Sequence, residues 1–170
     1  GFMIVPYALQ LARANTRIGP TINTLLCVLM LPVIVVLTDS YGIAGGAAKC
    51  DYVVKELGFD ACVDYRAGPV DPALKAAVPA GVDVYFDNVG GEILDAVLRR
   101  VNTGARIPLC GLIAGYNGGD IPLRNVHSLL VNRVRLQGFI VSDRMDLWPG
   151  AMTELAGHLA TGRLKYRETI

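Results

Sequence analysis

Residues 41–66, YGIAGGAAKCDYVVKELGFDACVDYR, decide how this chain folds. Tyr41-Gly42-Ile43-Ala44 is a short apolar run ended by Gly45-Gly46, the pattern of a strand entering a tight turn. From Ala47 to Leu57, the residues Val53, Val54 and Leu57 fall on one helical face, and Gly58 stands where a C-cap is expected. Ala61-Cys62-Val63-Asp64-Tyr65 reads as a second short strand. Strand, helix and strand make a βαβ unit, and strands joined through such a crossover run parallel.

The alternation continues toward the C-terminus. Asp71 to Val78 predicts a short helix, with Asp71 as its N-cap and Pro72 in the first turn. Val82 to Asp87 (VDVYFD) reads as a third strand. Gly91 to Arg100 predicts a helix with Ile93, Leu94, Val97 and Leu98 inward, and Ala105 to Gly111 (ARIPLCG) a fourth strand. Asn125 to Asn132 predicts a short helix and Val134 to Val141 (VRLQGFIV) a fifth strand. Leu147-Trp148-Pro149-Gly150 breaks the chain before a last helix, Ala151 to Ala160, capped by Gly162. The strands are nearly continuous apolar runs, as a sheet covered by helices on both faces requires. The expected fold class is α/β, a doubly wound parallel sheet.

Residues 1–40 break this rhythm. Tyr7 to Asn15 can form a helix, and the stretch from there to Ser40 is apolar and reads as extended. Leu25 to Leu37 is apolar throughout but contains Pro32, and it is shorter than the ~20 residues that span a bilayer. A buried strand or strand pair is expected there, with a membrane anchor over 18–37 as the lesser reading. Gly1 is followed by no basic n-region, so no signal peptide is expected.

Composition narrows the classes further. Of the 170 residues, 52% are hydrophobic and 18% charged, which excludes a disordered chain. Sixteen Lys+Arg against fifteen Asp+Glu leave a net charge of +1, so no basic field attracts nucleic acid. Cys27, Cys50, Cys62 and Cys110 lie far apart in sequence, without a CxxC pair or a Cys/His cluster. They read as separate buried free thiols of a reducing, cytoplasmic compartment, and no zinc site is expected.

Open α/β sheets bind ligands outside the carboxyl ends of their strands. That rule selects four loops, Gly45–Lys49, Asp87–Gly91, Cys110–Tyr116 and Phe139–Val141. GGAAK opens a helix and carries Lys49, with no acid among its residues. In a dinucleotide fold this suits a 2′-phosphate better than a bare ribose hydroxyl, which an acid would bond; a solvated lysine at a helix start is the plain alternative. DNVGG puts Asn88, a donor and an acceptor, beside two glycines that allow close backbone approach; a tight strand-to-helix turn is the alternative. CGLIAGYN holds Tyr116, a phenol able to bond a substrate oxygen or simply a loop-rim tyrosine. Cys110 reads as a small buried hydrophobe, and His127 and His158 as helix-surface residues. No GxGxxG precedes Tyr41, and no P-loop, HExxH or GxSxG occurs.

Four strings, GIAGGAAKCDYVVKELGFDACVDYR, GVDVYFDNVGGEILDAVL, ARIPLCGLIAGYN and VRLQGFIVSD, resemble the zinc-independent medium-chain dehydrogenase/reductases. More narrowly, they resemble the NADP-dependent alkenal/one oxidoreductases, the group of prostaglandin, leukotriene and curcumin reductases. The resemblance implies a Rossmann-like, incomplete NADP(H)-binding domain over 41–170, preceded by an unmatched apolar segment, 1–40. It implies that Lys49 meets the 2′-phosphate, that Tyr65 lines the adenosine pocket and that Asn88 contacts the cofactor. The run Cys110, Gly111, Leu112, Ile113 to Tyr116 would pass the nicotinamide, with Tyr116 polarising a substrate carbonyl. Phe139, Ile140 and Val141 would close over the nicotinamide. The family's longer chains carry a separate GroES-like catalytic domain and a glycine-rich pyrophosphate turn, neither matched here, so little activity is expected of the 170 residues alone. The implied reaction is hydride transfer to the activated C=C bond of a small enal or enone, without metal. The implied assembly is a homodimer through strand 134–141. A degenerate dinucleotide-fold module that only binds or dimerises is the alternative function.

Overall fold

The structure is a computed structural model that describes residues 39–118 and 120–164. The apolar stretch weighed as a membrane anchor, the helix over 7–15 and Cys27 lie outside the described residues. β1 (Tyr41–Ala44) leads into α1 (Ala47–Asp51), which continues as a wider π turn over Tyr52–Glu56. β2 (Ala61–Asp64), α2 (Val70–Ala77), β3 (Val82–Val84), α3 (Gly91–Leu98) and β4 (Val101–Leu109) come next. A single 3-10 turn (Ile113–Gly115), α4 (Val126–Val131), β5 (Arg135–Gly138), a 3-10 segment (Val141–Leu147) and α5 (Trp148–Ala160) complete the order.

All strand pairs among the described residues are parallel, as the crossovers dictate. β1 pairs with β2, Tyr41 opposite Ala61, and β3-β4-β5 form a second set. In a doubly wound sheet the second and third strands lie on one side of the first, and the fourth onward on the other. The described order fits that scheme with one position between β1 and β3 to which no described residue contributes. The groove there is lined by Tyr41, Ile43, Val82 and Val84. One buried apolar cluster nonetheless joins both sides, including Ile43 and Val63 with Val82, Val97, Leu98 and Ile107. α3 is the most deeply set helix, and Ile93, Leu94, Val97 and Leu98 face inward as expected.

α1 rides directly on β1 because Gly42 has no side chain. A methyl there would come within 2.8 Å of Val53 Cγ1 and 3.3 Å of Cys62 Sγ. The helix ends as anticipated at Gly58, whose φ of 74° suits glycine.

Four expectations need correction. Asp71 is not an N-cap. Pro69 holds that position, and Asp71 instead takes a bidentate bond from Arg100 Nη2 at 3.1 and 3.2 Å. The last helix starts at Trp148 rather than Ala151, because Pro149 lies in the first turn, where its missing N–H costs nothing. β5 is shorter than 134–141, since the chain winds into a 3-10 turn from Val141. The cysteines are not all separate: Cys50 and Cys62 are half-buried with their sulfurs 2.6 Å apart.

Candidate functional site

Two groups of loops form at the carboxyl ends of the strands. The first gathers around Gly45-Gly46, after β1. A methyl on Gly45 would lie 2.5 Å from the Tyr65 phenol oxygen and 3.0 Å from Arg66 Nε. Glycine at 45 is therefore what lets Tyr65 and Arg66 fold over the loop. Asp64, at the end of β2, fixes it from below. Its Oδ1 accepts the Gly46 N–H at 2.8 Å and the Arg66 N–H at 2.9 Å. Those backbone donors, Gly46 first, hold the Asp64 carboxyl below its ordinary range. Gly46 O in turn accepts the N–H groups of Lys49 (3.0 Å) and Cys50 (3.2 Å), starting α1. Lys49, Tyr65 and Arg66 thus belong to one polar, cation-bearing rim. Counting acids only within GGAAK missed Asp64, which β2 brings to the loop, and the same reading missed Arg66.

The second group joins DNVGG to CGLIAGY. Asp87, fully buried three residues beyond β3 and bridged to Leu109 of β4, organises it. Its Oδ1 accepts Val89 N–H at 2.8 Å, Gly90 N–H at 3.0 Å and the Tyr85 hydroxyl at 3.2 Å. Burial pushes the Asp87 carboxyl up from its ordinary value, against the pull of these donors. Burial and the neighbouring Asp87 also hold the Tyr85 phenol protonated. Gly90 and Gly91 carry φ of 67° and 59°, which swings the chain into α3.

The two loops are zipped by their backbones. Cys110 N–H donates to Asp87 O at 2.7 Å, Ile113 N–H to Asn88 O at 3.2 Å and Ala114 N–H to Val89 O at 3.0 Å. A methyl on Gly111 would sit 3.2 Å from Asn88 O and 3.6 Å from the Tyr116 hydroxyl. Asn88, Cys110, Gly111, Leu112, Ile113 and Tyr116 are therefore neighbours, as the sequence led one to expect. Tyr116 is 73% exposed, so its hydroxyl is open to a bound molecule. Phe139 joins through Phe86, the rings 6.1 Å apart, with Cys110 packed on the same pair. Cys110 is only half-buried, against the expected burial. Ile140, beside Phe139, is 64% exposed, and Val141 opens the following 3-10 turn.

Asp87 was missed because Asn88 is the more obvious ligand-facing side chain. The available signal was an aspartate ending a strand directly before a turn, where its side chain bonds the next N–H groups. Asp95 was missed too: it lies in the apolar face of α3, and its Oδ1 accepts the N–H groups of Arg124 (2.8 Å) and Asn125 (2.9 Å), seating the start of α4. His127 is exposed, as expected, whereas His158 is half-buried beside Glu154 at 3.6 Å.

A parallel α/β arrangement with glycine-rich loops at the carboxyl ends of its strands belongs to the class of folds that bind ligands, dinucleotides among them, at those ends. The chain belongs to the zinc-binding dehydrogenase family, which residues 38–157 match. It is 45% identical over 136 residues to the NADPH-dependent curcumin reductase of Escherichia coli, covering 76% of this chain and 39% of that one. It is 35% identical over 131 residues to the NADP(+)-dependent 2-alkenal reductase of Nicotiana tabacum, covering 76% and 38%. The crystal structure of CurA from Vibrio vulnificus in complex with NADPH superposes with a TM-score of 0.69 at 40% identity, covering 76% of this chain and 40% of that one. The chain thus spans about 40% of the length of these relatives. The family's name implies zinc. Among the described residues, no group of three or more His, Cys, Asp or Glu side chains is placed to hold a metal ion. No described helix is long and apolar enough to cross a membrane.

Proposed function

We propose that residues 41–170 are the cofactor-holding part of a cytoplasmic, NADP(H)-dependent reductase of activated C=C bonds in small enals and enones. The observation that carries this reading is the backbone zipper between 87–91 and 110–114, which sets Asn88, Gly111 and the Tyr116 hydroxyl side by side at the ends of β3 and β4. The likeness to an NADPH-dependent reductase and to a structure holding NADPH supports it.

Bound here, a reduced nicotinamide would supply a hydride to the β-carbon of the substrate. Lys49 and Arg66 would pair with the 2′-phosphate through charge-assisted bonds, and Tyr65 would flank the adenosine. Asn88 offers an amide to the cofactor beside the glycine-lined approach at Gly90 and Gly111. Tyr116 would donate a hydrogen bond to the substrate carbonyl, where negative charge gathers as the C=C bond is reduced. Phe139, Ile140 and Val141 would keep water from the reacting carbons. The reaction so derived uses no metal.

Titrating the purified chain with NADPH and NADH tests the reading. Tighter binding of NADPH, lost by about 10- to 100-fold in Lys49→Glu, is the expected result. Equal affinity for both cofactors in the unaltered chain would refute it. That no described residue contributes a strand between β1 and β3 is the observation behind a second reading, a catalytically inactive binding or dimerisation module, which predicts no binding of either cofactor.

A further inference from the structure

Cys50 and Cys62 come from different elements. Cys50 lies in the first turns of α1, next to Lys49, and Cys62 is the second residue of β2. Their sulfurs are 2.6 Å apart, about half an ångström beyond the ~2.05 Å of a disulfide bond. Cys62 packs on β1, where a methyl on Gly42 would come within 3.3 Å of its sulfur. Both thiols are only half-buried, so a small reagent can reach the pair. Nothing in the proposed reaction uses either sulfur.

We propose that Cys50 and Cys62 are a redox modification site that closes reversibly to an intramolecular disulfide, the oxidant being a low-molecular-weight disulfide, RSSR. Burial, then the adjacent Cys50, push the Cys62 thiol well above its ordinary range, so the first attack falls to Cys50. The Cys50 thiolate attacks one sulfur of RSSR, and RS⁻ leaves with the bonding pair. A mixed disulfide, Cys50–S–SR, results. Capping Cys50 removes its hydrogen bond and charge from beside Cys62, two of the causes that hold that thiol protonated. Cys62 then loses its proton to solvent, its sulfur attacks that of Cys50, and the second RS⁻ departs. Two electrons and two protons leave the protein as two RSH. The bond would fasten the first turns of α1 to β2, directly behind Lys49 and beside the Asp64 that holds Gly46. This holds whether or not the loop binds a dinucleotide.

The test is to incubate the reduced chain with oxidised glutathione at neutral pH, then alkylate and map peptides. The expected result is an intact mass lower by about 2 Da, a Cys50–Cys62 crosslinked peptide and two of the four cysteines protected from alkylation, with dithiothreitol reversing all three. Cys50→Ser and Cys62→Ser should each abolish the crosslink. If Cys62→Ser does not fold, because Cys62 packs on β1, the helix-borne variant Cys50→Ser decides alone. Four alkylatable thiols after oxidation, a link through Cys27 or Cys110, or a link between two chains would overturn the proposal.

Discussion

Replacing Asp87 with alanine should destabilise the fold more than any other single change in the second loop group. Asp87 is wholly buried, and its Oδ1 serves three donors, Val89 N–H, Gly90 N–H and the Tyr85 hydroxyl. Each buried donor left without a partner costs roughly 1–3 kcal/mol. Water entering the vacated space returns part of that, so the net loss should be about 3–4 kcal/mol. Against a total stability of about 5–15 kcal/mol, this is a large fraction. Asp87→Asn keeps the acceptor and should lose only about 1 kcal/mol. The pH dependence separates the two effects. Because burial raises the folded carboxyl's pKa, its stabilising contribution is complete below the ordinary aspartate value of ~3.9 and is lost as pH rises through the folded value. The asparagine carries no such charge, so its disadvantage relative to wild type should shrink with rising pH across that window. Urea unfolding at several pH values measures all of this, with the alanine variant's midpoint falling by roughly 2 M. An alanine variant within about 0.5 kcal/mol of wild type, or an asparagine variant as damaged as the alanine one, would refute the reasoning.

Asp64 should behave in the opposite sense. Its carboxyl is held low by Gly46 and Arg66, so its contribution is present above the ordinary aspartate range and is lost as pH falls through the folded value. The stability gap between wild type and Asp64→Asn should therefore be widest near neutrality and close in acid; a gap that widens in acid is the contrary result. β5 stands at the edge of its strand set, and the chain should dimerise through it. Sedimentation at tens of micromolar, an order-of-magnitude working concentration, should find a dimer rather than a monomer. The 170 residues alone should turn over a simple enal with NADPH at a negligible rate, and robust turnover by the purified chain would count against that expectation.

The parallel α/β alternation was legible because the strands around Ile43, Val63 and Val84 are short apolar runs and most helices carry glycine or proline at one end, though α4 lies between Asn125 and Asn132 and β5 is largely polar. Boundaries were less so. Asp71-Pro72 has the pattern of a cap and first turn, yet the helix starts at Val70 and the Asp71 carboxylate accepts from Arg100 across the fold. The members of each loop group could be chosen from strand ends alone, so Asn88, Gly111 and Tyr116 were found together. Asp87 bonds the next N–H groups of its own turn, a local signal that was passed over. Asp64 and Asp95 could not be found so, because they act across elements on the N–H groups of Gly46, Arg124 and Asn125. The same holds for Cys50 and Cys62, twelve residues apart in sequence yet touching across the α1–β2 pair.

Backbone amide NMR of the labelled chain, titrated with NADPH, decides whether the loops at the carboxyl ends of the strands hold one NADP(H). The amides of 45–49 and 64–66 should shift together with those of 88–91 and 110–116, along one saturation curve, while α5 stays unchanged. Saturation without movement of either loop group, or shifts confined to residues remote from the strand ends, would contradict it.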